Sequence, residues 1–271
     1  FHDYNVLPFY ALSLLLLVYV AWKVVRPEMR PWVLLLAVAN VPMIVSTIGG
    51  NLDVFVILLL VLAWLWRDKR WASAVMLGLA LASKQPAWFF LPFYLILTIR
   101  FYGFKETLYR SLIAGGIGLA CNLPFIIWNP HAFIAGILAP VADPMYPMGV
   151  GIVNLSVTNL FPFLPKLAYT VLEVATMPLT YIWYWRICRK HPESVMLLAV
   201  LPLFMAWRSL SSYFYCTAFP LFILQAARGR VHKHAVQEEK PRPRFFQPAR
   251  SEESTLDIPT SVSVRFLNLF W

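Results

Sequence analysis

Long apolar blocks constrain this chain more than any other feature of its sequence. Nine of them follow one another, at 7–25, 31–48, 54–66, 71–83, 86–99, 111–128, 167–185, 194–207 and 209–227. None shows the polar stripe that a water-facing helix needs. Composition agrees: 60% of the 271 residues are hydrophobic and only 13% are charged, against roughly a quarter in a soluble domain. So few charges cannot coat a water-facing surface of this size. The blocks predict an all-α, polytopic membrane helix bundle of about nine transmembrane or short paired segments, and no soluble domain. The bundle is expected over 1–227, followed by a polar, Pro-rich, disordered cytoplasmic tail over 228–271.

Charge orders the blocks. The net charge of +10 is gathered in short clusters between apolar stretches, which marks a membrane protein's inner side and argues against nucleic acid. Four blocks of 13 to 14 residues fall short of the ~20 needed to cross a bilayer as straight helices. If 71–99 folds as a hairpin broken at Ser83-Lys84-Gln85-Pro86, four basic loops fall on one side: Lys23/Arg26/Arg30, Arg67/Lys69/Arg70, Arg100/Lys105/Arg110 and Arg186/Arg189/Lys190. As a single span it would divide them evenly and erase the positive-inside bias. The hairpin is therefore expected, and 194–227 should turn near Arg208 for reasons of length. The N-terminus and the long 129–166 loop then lie outside. That loop should rest on the membrane surface, with 132–138 as a short interfacial helix.

Ionisable residues at membrane depth are costly and therefore informative. Lys84 stands at the outer tip of the predicted hairpin. It is either a cation reaching for headgroups or one held for an anionic ligand, with polar Gln85 beside it. Arg208 occupies the matching turn of the last pair, with the same two readings. Together they suit a phosphate or pyrophosphate, Arg as a fork of donors and Lys as a point charge. Gly49-Gly50 permit a tight turn before Asn51 and Asp53, either of which could cap the next helix or touch a substrate. Glu173 is the one acid deep in a predicted span and calls for a partner or a proton. Asp3 and Asp143 are further external acids without a supporting pattern. His2 and His131 lack metal-ligand spacing. Cys121, Cys188 and Cys216 form neither a disulfide framework nor a CxxC pair, so no metal or cofactor is expected. The chain opens on Phe1-His2-Asp3, as a mature product or a fragment would.

The run GGNLDVFVILLLVLAWLWRDKRWASAVMLGLALASKQPAWFFLPFYLILTIR resembles the GT-C glycosyltransferases, and within them the mannosyltransferase-like family 87. It shares a Gly-polar-x-Asp turn (Gly50, Asn51, Asp53), a short basic loop (Arg67–Arg70), a small-residue helix ending in Lys84 and Pro86, and a basic end at Arg100. The WRSLSSYFY segment is similar to the late Arg/Tyr stretch of such enzymes. The resemblance implies an integral, multi-pass enzyme of the bacterial plasma membrane. It would move a hexose such as mannose from a polyprenyl-phosphate donor to an acceptor on the outer face, with inversion. An acid in the first external loop serves such enzymes as base, with cations at the carrier phosphate. Lys84 and Arg208 fit the second role, with Gln85 and Asn51 beside them, and Asp53 is the candidate base.

Almost nothing precedes Leu7, whereas in the family several spans follow the acid-bearing loop. The chain is thus expected to lack that segment and to bind a polyprenyl phosphate without transferring sugar alone. The alternative is a non-catalytic membrane subunit, or a lipid-carrier-binding scaffold working with a membrane-protein partner. A transporter ranks third, since the polar pathway is thin.

Overall fold

Prolines and apolar runs set the order of helices. The computed structural model describes residues 6–142 and 146–238. Helix α1 (Leu7–Val24) begins with Pro8, whose fixed φ suits a first turn. A 3₁₀ turn, Pro27–Met29, leads to α2 (Arg30–Ala39) and α3 (Val41–Ile48). The 31–48 block is thus two helices, bent by 56°, because Pro42 offers no N–H to the turn behind it. Asn40 holds the bend: its Oδ1 accepts from Met43 N at 3.3 Å and its Nδ2 donates to the Tyr215 carbonyl at 2.9 Å.

Gly50, at φ +75°, turns the chain into α4 (Asp53–Leu65), and α5 (Arg70–Ser83) follows. Lys84 is extended, a 3₁₀ stretch covers Gln85–Phe90, and α6 (Leu91–Tyr102) returns. This is the expected hairpin. Ser73 and Tyr94 share a hydrogen bond of 2.8 Å between its arms. At its base the Tyr102 hydroxyl donates to Asp68 at 2.6 Å.

The chain continues as α7 (Phe104–Trp128) and α8 (Pro130–Ala142). The two-residue strand β1 (Met148–Gly149) and the short α9 (Val153–Val157) come next. The 129–166 region therefore holds more regular structure than the single short helix expected there. After α10 (Lys166–Ile187) come a 3₁₀ turn (Pro192–Ser194), α11 (Val195–Leu198) and α12 (Leu201–Met205). Strand β2 (Arg208–Ser209) precedes α13 (Ser211–Glu238). Helix α13 runs past the expected boundary at Ala227, since no proline interrupts the polar residues up to Glu238. Phe1–Lys233 form one compact unit, and His234–Trp271 a second of which only the helical stretch to Glu238 is described. The rest of the expected tail lies outside the described residues.

Helix α4 is the axis of the first unit. Ten of its 13 residues are buried, among them Leu60, Val61 and Trp64. Leu17 and Ala21 of α1, Phe93 and Leu97 of α6, and Phe219 and Ile223 of α13 belong to the same core. The burial accounts for its length. At ~1.5 Å per residue α4 spans ~20 Å, well short of a ~30 Å hydrocarbon core. A helix wrapped in protein need not meet lipid along its whole length. Among the described residues, α1 and α7 are long and apolar enough to cross a membrane by themselves, and the bent α2–α3 pair makes up to three. The expected nine segments are thus a few long helices around shorter, shielded ones.

Candidate functional site

Three residues singled out in the sequence meet at the outer tip of the α5–α6 hairpin. Pro86 prevents α5 from continuing, and the extended backbone at Lys84 turns its side chain toward the start of α4. There Lys84 Nζ donates to Asp53 Oδ1 at 2.5 Å and to Asn51 Oδ1 at 2.8 Å. Asp53 is 5% exposed and Lys84 27%. Two expectations change. Lys84 is not an isolated cation. Neither Asn51 nor Asp53 caps α4, whose N-cap is Leu52 without a side-chain bond. A charge-assisted bond to an ammonium is stronger than a cap on a neutral N–H, so both side chains turn to Lys84.

The carboxylate is only half used. Asp53 Oδ2 is buried and has no hydrogen-bond partner. Asp53 lines a small cleft whose walls include Pro86, Phe90, Ser212, Tyr213 and Thr217. Ser212 Oγ is likewise buried and unpartnered. A buried polar atom left without a partner costs free energy, so two of them on one cleft leave it able to take up a hydroxyl or similar group. Lys84, with three N–H bonds and two engaged, also keeps a donor in reserve.

Gln85 points elsewhere. Its Nε2 donates to the Ile137 carbonyl of α8 at 2.9 Å, so it ties the hairpin tip to the 129–166 region. Arg208 is reached from that region too. β1 and β2 pair in parallel, Met148 opposite Arg208 and Gly149 opposite Ser209. Val150 N donates to the Ser209 carbonyl and Ile152 N to that of Phe204, both at 2.9 Å. Only glycine fits here: a Cβ on Gly151 would lie 2.1 Å from the Phe204 carbonyl oxygen, and one on Gly149 1.9 Å from that of Ser209.

Tyr213 stands beside Lys84, its ring centroid 6.0 Å from Nζ. Sequence reasoning picked out the WRSLSSYFY segment but not Tyr213 or Ser212 within it, nor the pairing of Gly149 with Ser209. The spacing of Gly149 and Gly151 was the available signal.

A second ionic cluster closes the other end of the hairpin. Glu106 receives Arg70 through Nη2 at 2.5 Å and Nε at 2.8 Å, and Arg110 Nε at 2.8 Å. Arg110 is 2% exposed, donates to the Arg67 carbonyl at 2.5 Å and lies 4.4 Å from the Tyr102 ring centroid. Basic residues of two expected inner loops thus share this end of the hairpin, opposite Lys84. Glu173 is half-buried on α10, without a hydrogen bond or ion pair among the described residues. His131 is exposed on α8. Among the described residues no three His, Cys, Asp or Glu side chains are grouped to hold a metal. Asp3, Asp143 and His2 lie outside the described residues.

Against known proteins, residues 4–209 match Glycosyltransferase family 87. No curated protein and no solved structure matches the chain.

Proposed function

From the premise that the chain belongs to glycosyltransferase family 87 and is a membrane glycosyltransferase, we propose that it transfers a hexose such as mannose from a polyprenyl-phosphate donor. The acceptor is a hydroxyl compound at the outer face of a bacterial plasma membrane. One observation carries the reading: Asp53 lines a cleft, is fixed through Oδ1 by Lys84 and keeps its Oδ2 without a partner.

Asp53 Oδ2 takes the proton of the acceptor hydroxyl as its oxygen attacks the anomeric carbon. The bond from that carbon to the carrier phosphate oxygen breaks, and the phosphate leaves with the electron pair. Negative charge grows on the phosphate, and fixed cations lower the barrier there. Lys84 offers its remaining N–H and Arg208 its guanidinium fork. Asn51 and Tyr213 orient the ammonium, and Gln85 holds the hairpin tip against α8.

The test is a reconstituted assay with polyprenyl-phosphate hexoses as donors and a membrane lipid extract as acceptor source, beside direct donor binding. Asp53→Asn should reduce transfer by roughly 10²- to 10⁴-fold, the usual worth of a general base, while donor binding persists. Lys84→Ala and Arg208→Ala should weaken donor binding itself. Turnover unaffected by Asp53→Asn would remove Asp53 from the base role. The lipid-carrier-binding scaffold has its own support in the closed Asp53–Lys84 pair, which satisfies two charges without a substrate. Donor binding with no turnover in the wild type would favour that reading.

A further inference from the structure

The end of the bundle opposite Asp53 carries cations that no carboxylate among the described residues neutralises. Arg70 and Arg110 are neutralised by Glu106. Arg67, Arg100 and Arg189 are not: among the described residues no carboxylate lies within 4.0 Å of them. Asp68 accepts from Tyr102, and Glu193 faces His191.

These three arginines converge where the end of α6 meets the end of α10. Arg189 Nη2 donates to the Arg100 carbonyl at 3.1 Å. Arg67 reaches the same place through α6, its guanidinium lying over Phe101, the residue after Arg100. Two of the guanidiniums are backed by rings that are themselves open to the outside. Arg100 lies 5.1 Å from the Trp185 ring centroid and Arg67 5.8 Å from that of Phe101, with those aromatics 41% and 40% exposed. Arg100 Nε is buried without a partner. Like charges gathered at one end of a bundle repel unless an anion joins them. A guanidinium flat against a ring keeps its donor edge free for a phosphate.

We propose that Arg67, Arg100 and Arg189 form a binding site for the phosphate headgroup of an anionic phospholipid of the inner leaflet. The lipid's chains would lie along the exposed apolar side of α10, where Ile182 and Trp183 are 54% and 56% exposed. A lipid rather than a soluble phosphate is favoured by this apolar continuation and by a place among the inner basic loops, where anionic headgroups gather. The site does not depend on the donor-binding reading, and its failure would leave that reading untouched.

Native mass spectrometry of the full chain in detergent tests it, with dioleoylphosphatidylglycerol, dioleoylphosphatidylcholine and glycerol 3-phosphate as probes. The wild type should retain phosphatidylglycerol well above phosphatidylcholine, and glycerol 3-phosphate should not displace it. Retention should fall roughly fivefold per arginine removed, in Arg189→Gln and then in the Arg67→Gln/Arg100→Gln/Arg189→Gln triple. The Lys105→Gln/Arg186→Gln/Lys190→Gln triple, which removes equal charge from the same rim, should cost far less. Equal retention of both lipids by the wild type overturns the proposal even if the arginine triple fails to fold. So does equal loss in the two triples, or displacement of the lipid by glycerol 3-phosphate.

Discussion

Each end of the α5–α6 hairpin holds a carboxylate in an ion pair, but the two carboxylates are used differently. Both oxygens of Glu106 are taken, by Arg70 and Arg110, and Arg110 is further engaged by the Arg67 carbonyl and the Tyr102 ring. Nothing is left over, and the cluster can only hold the loop 67–70 against α7. Asp53, which lines a cleft, has one oxygen on Lys84 and the other without a partner. A saturated carboxylate stabilises structure, whereas a half-satisfied one retains capacity for chemistry at some cost in stability.

Exchanging the loss between the two ends is the sharpest way to break this comparison. Asp53→Asn should abolish most transfer, as set out above, and leave the unfolding temperature close to that of the wild type. Glu106→Gln should do the reverse. It strands Arg110, 2% exposed, without its counter-charge, which costs on the order of 3 kcal/mol. Thermal unfolding in detergent and the transfer assay, run on both variants, check the crossover. Equal stability losses would mean that Asp53 is a structural clamp as well.

A smaller effect should follow from Gly151→Ala. The added Cβ meets the Phe204 carbonyl, and overpacking of this kind costs about 1–3 kcal/mol. The 146–152 segment would have to shift away from Arg208. Donor KM should rise with little change in kcat, because the substitution disturbs the proposed phosphate ligand and not the proposed base. An unchanged KM would detach the 129–166 region from the site.

The smallest change is expected of Arg70→Gln. Its side chain is 49% exposed, where solvent and salt screen an ion pair, and Arg110 keeps Glu106 occupied. The unfolding temperature should stay nearly constant, in contrast to Glu106→Gln. A drop as large as that of Glu106→Gln would place the strength of the clamp in the exposed pair instead of the buried one.

Much of the fold can be read from residue order. Apolar blocks mark where most helices lie, Pro86 marks the hairpin break, and the basic clusters mark one end of the bundle. The reading loses accuracy where composition and conformation part. Pro42 divides a continuous apolar block into α2 and α3, while polar residues after Ala227 continue α13. Span counting fails for a similar reason: it assumes that every apolar helix faces lipid, and α4 faces protein.

The sequence alone determined the all-α membrane class, the hairpin with its cationic tip, and a short list of chemical groups: Asn51, Asp53, Lys84, Gln85 and Arg208. Tertiary structure decided which of them touch. Asp53 and Lys84 are separated by 31 residues, and their contact depends on how α4 is rotated relative to the hairpin tip. In a soluble helix the polar stripe reveals that rotation. In helices apolar on every side no such stripe exists, and only the fit of side chains in the packed core sets the angle. The same fit placed Gly151 against Phe204 and left Asp53 Oδ2 without a partner, neither of which any spacing along the chain prescribes.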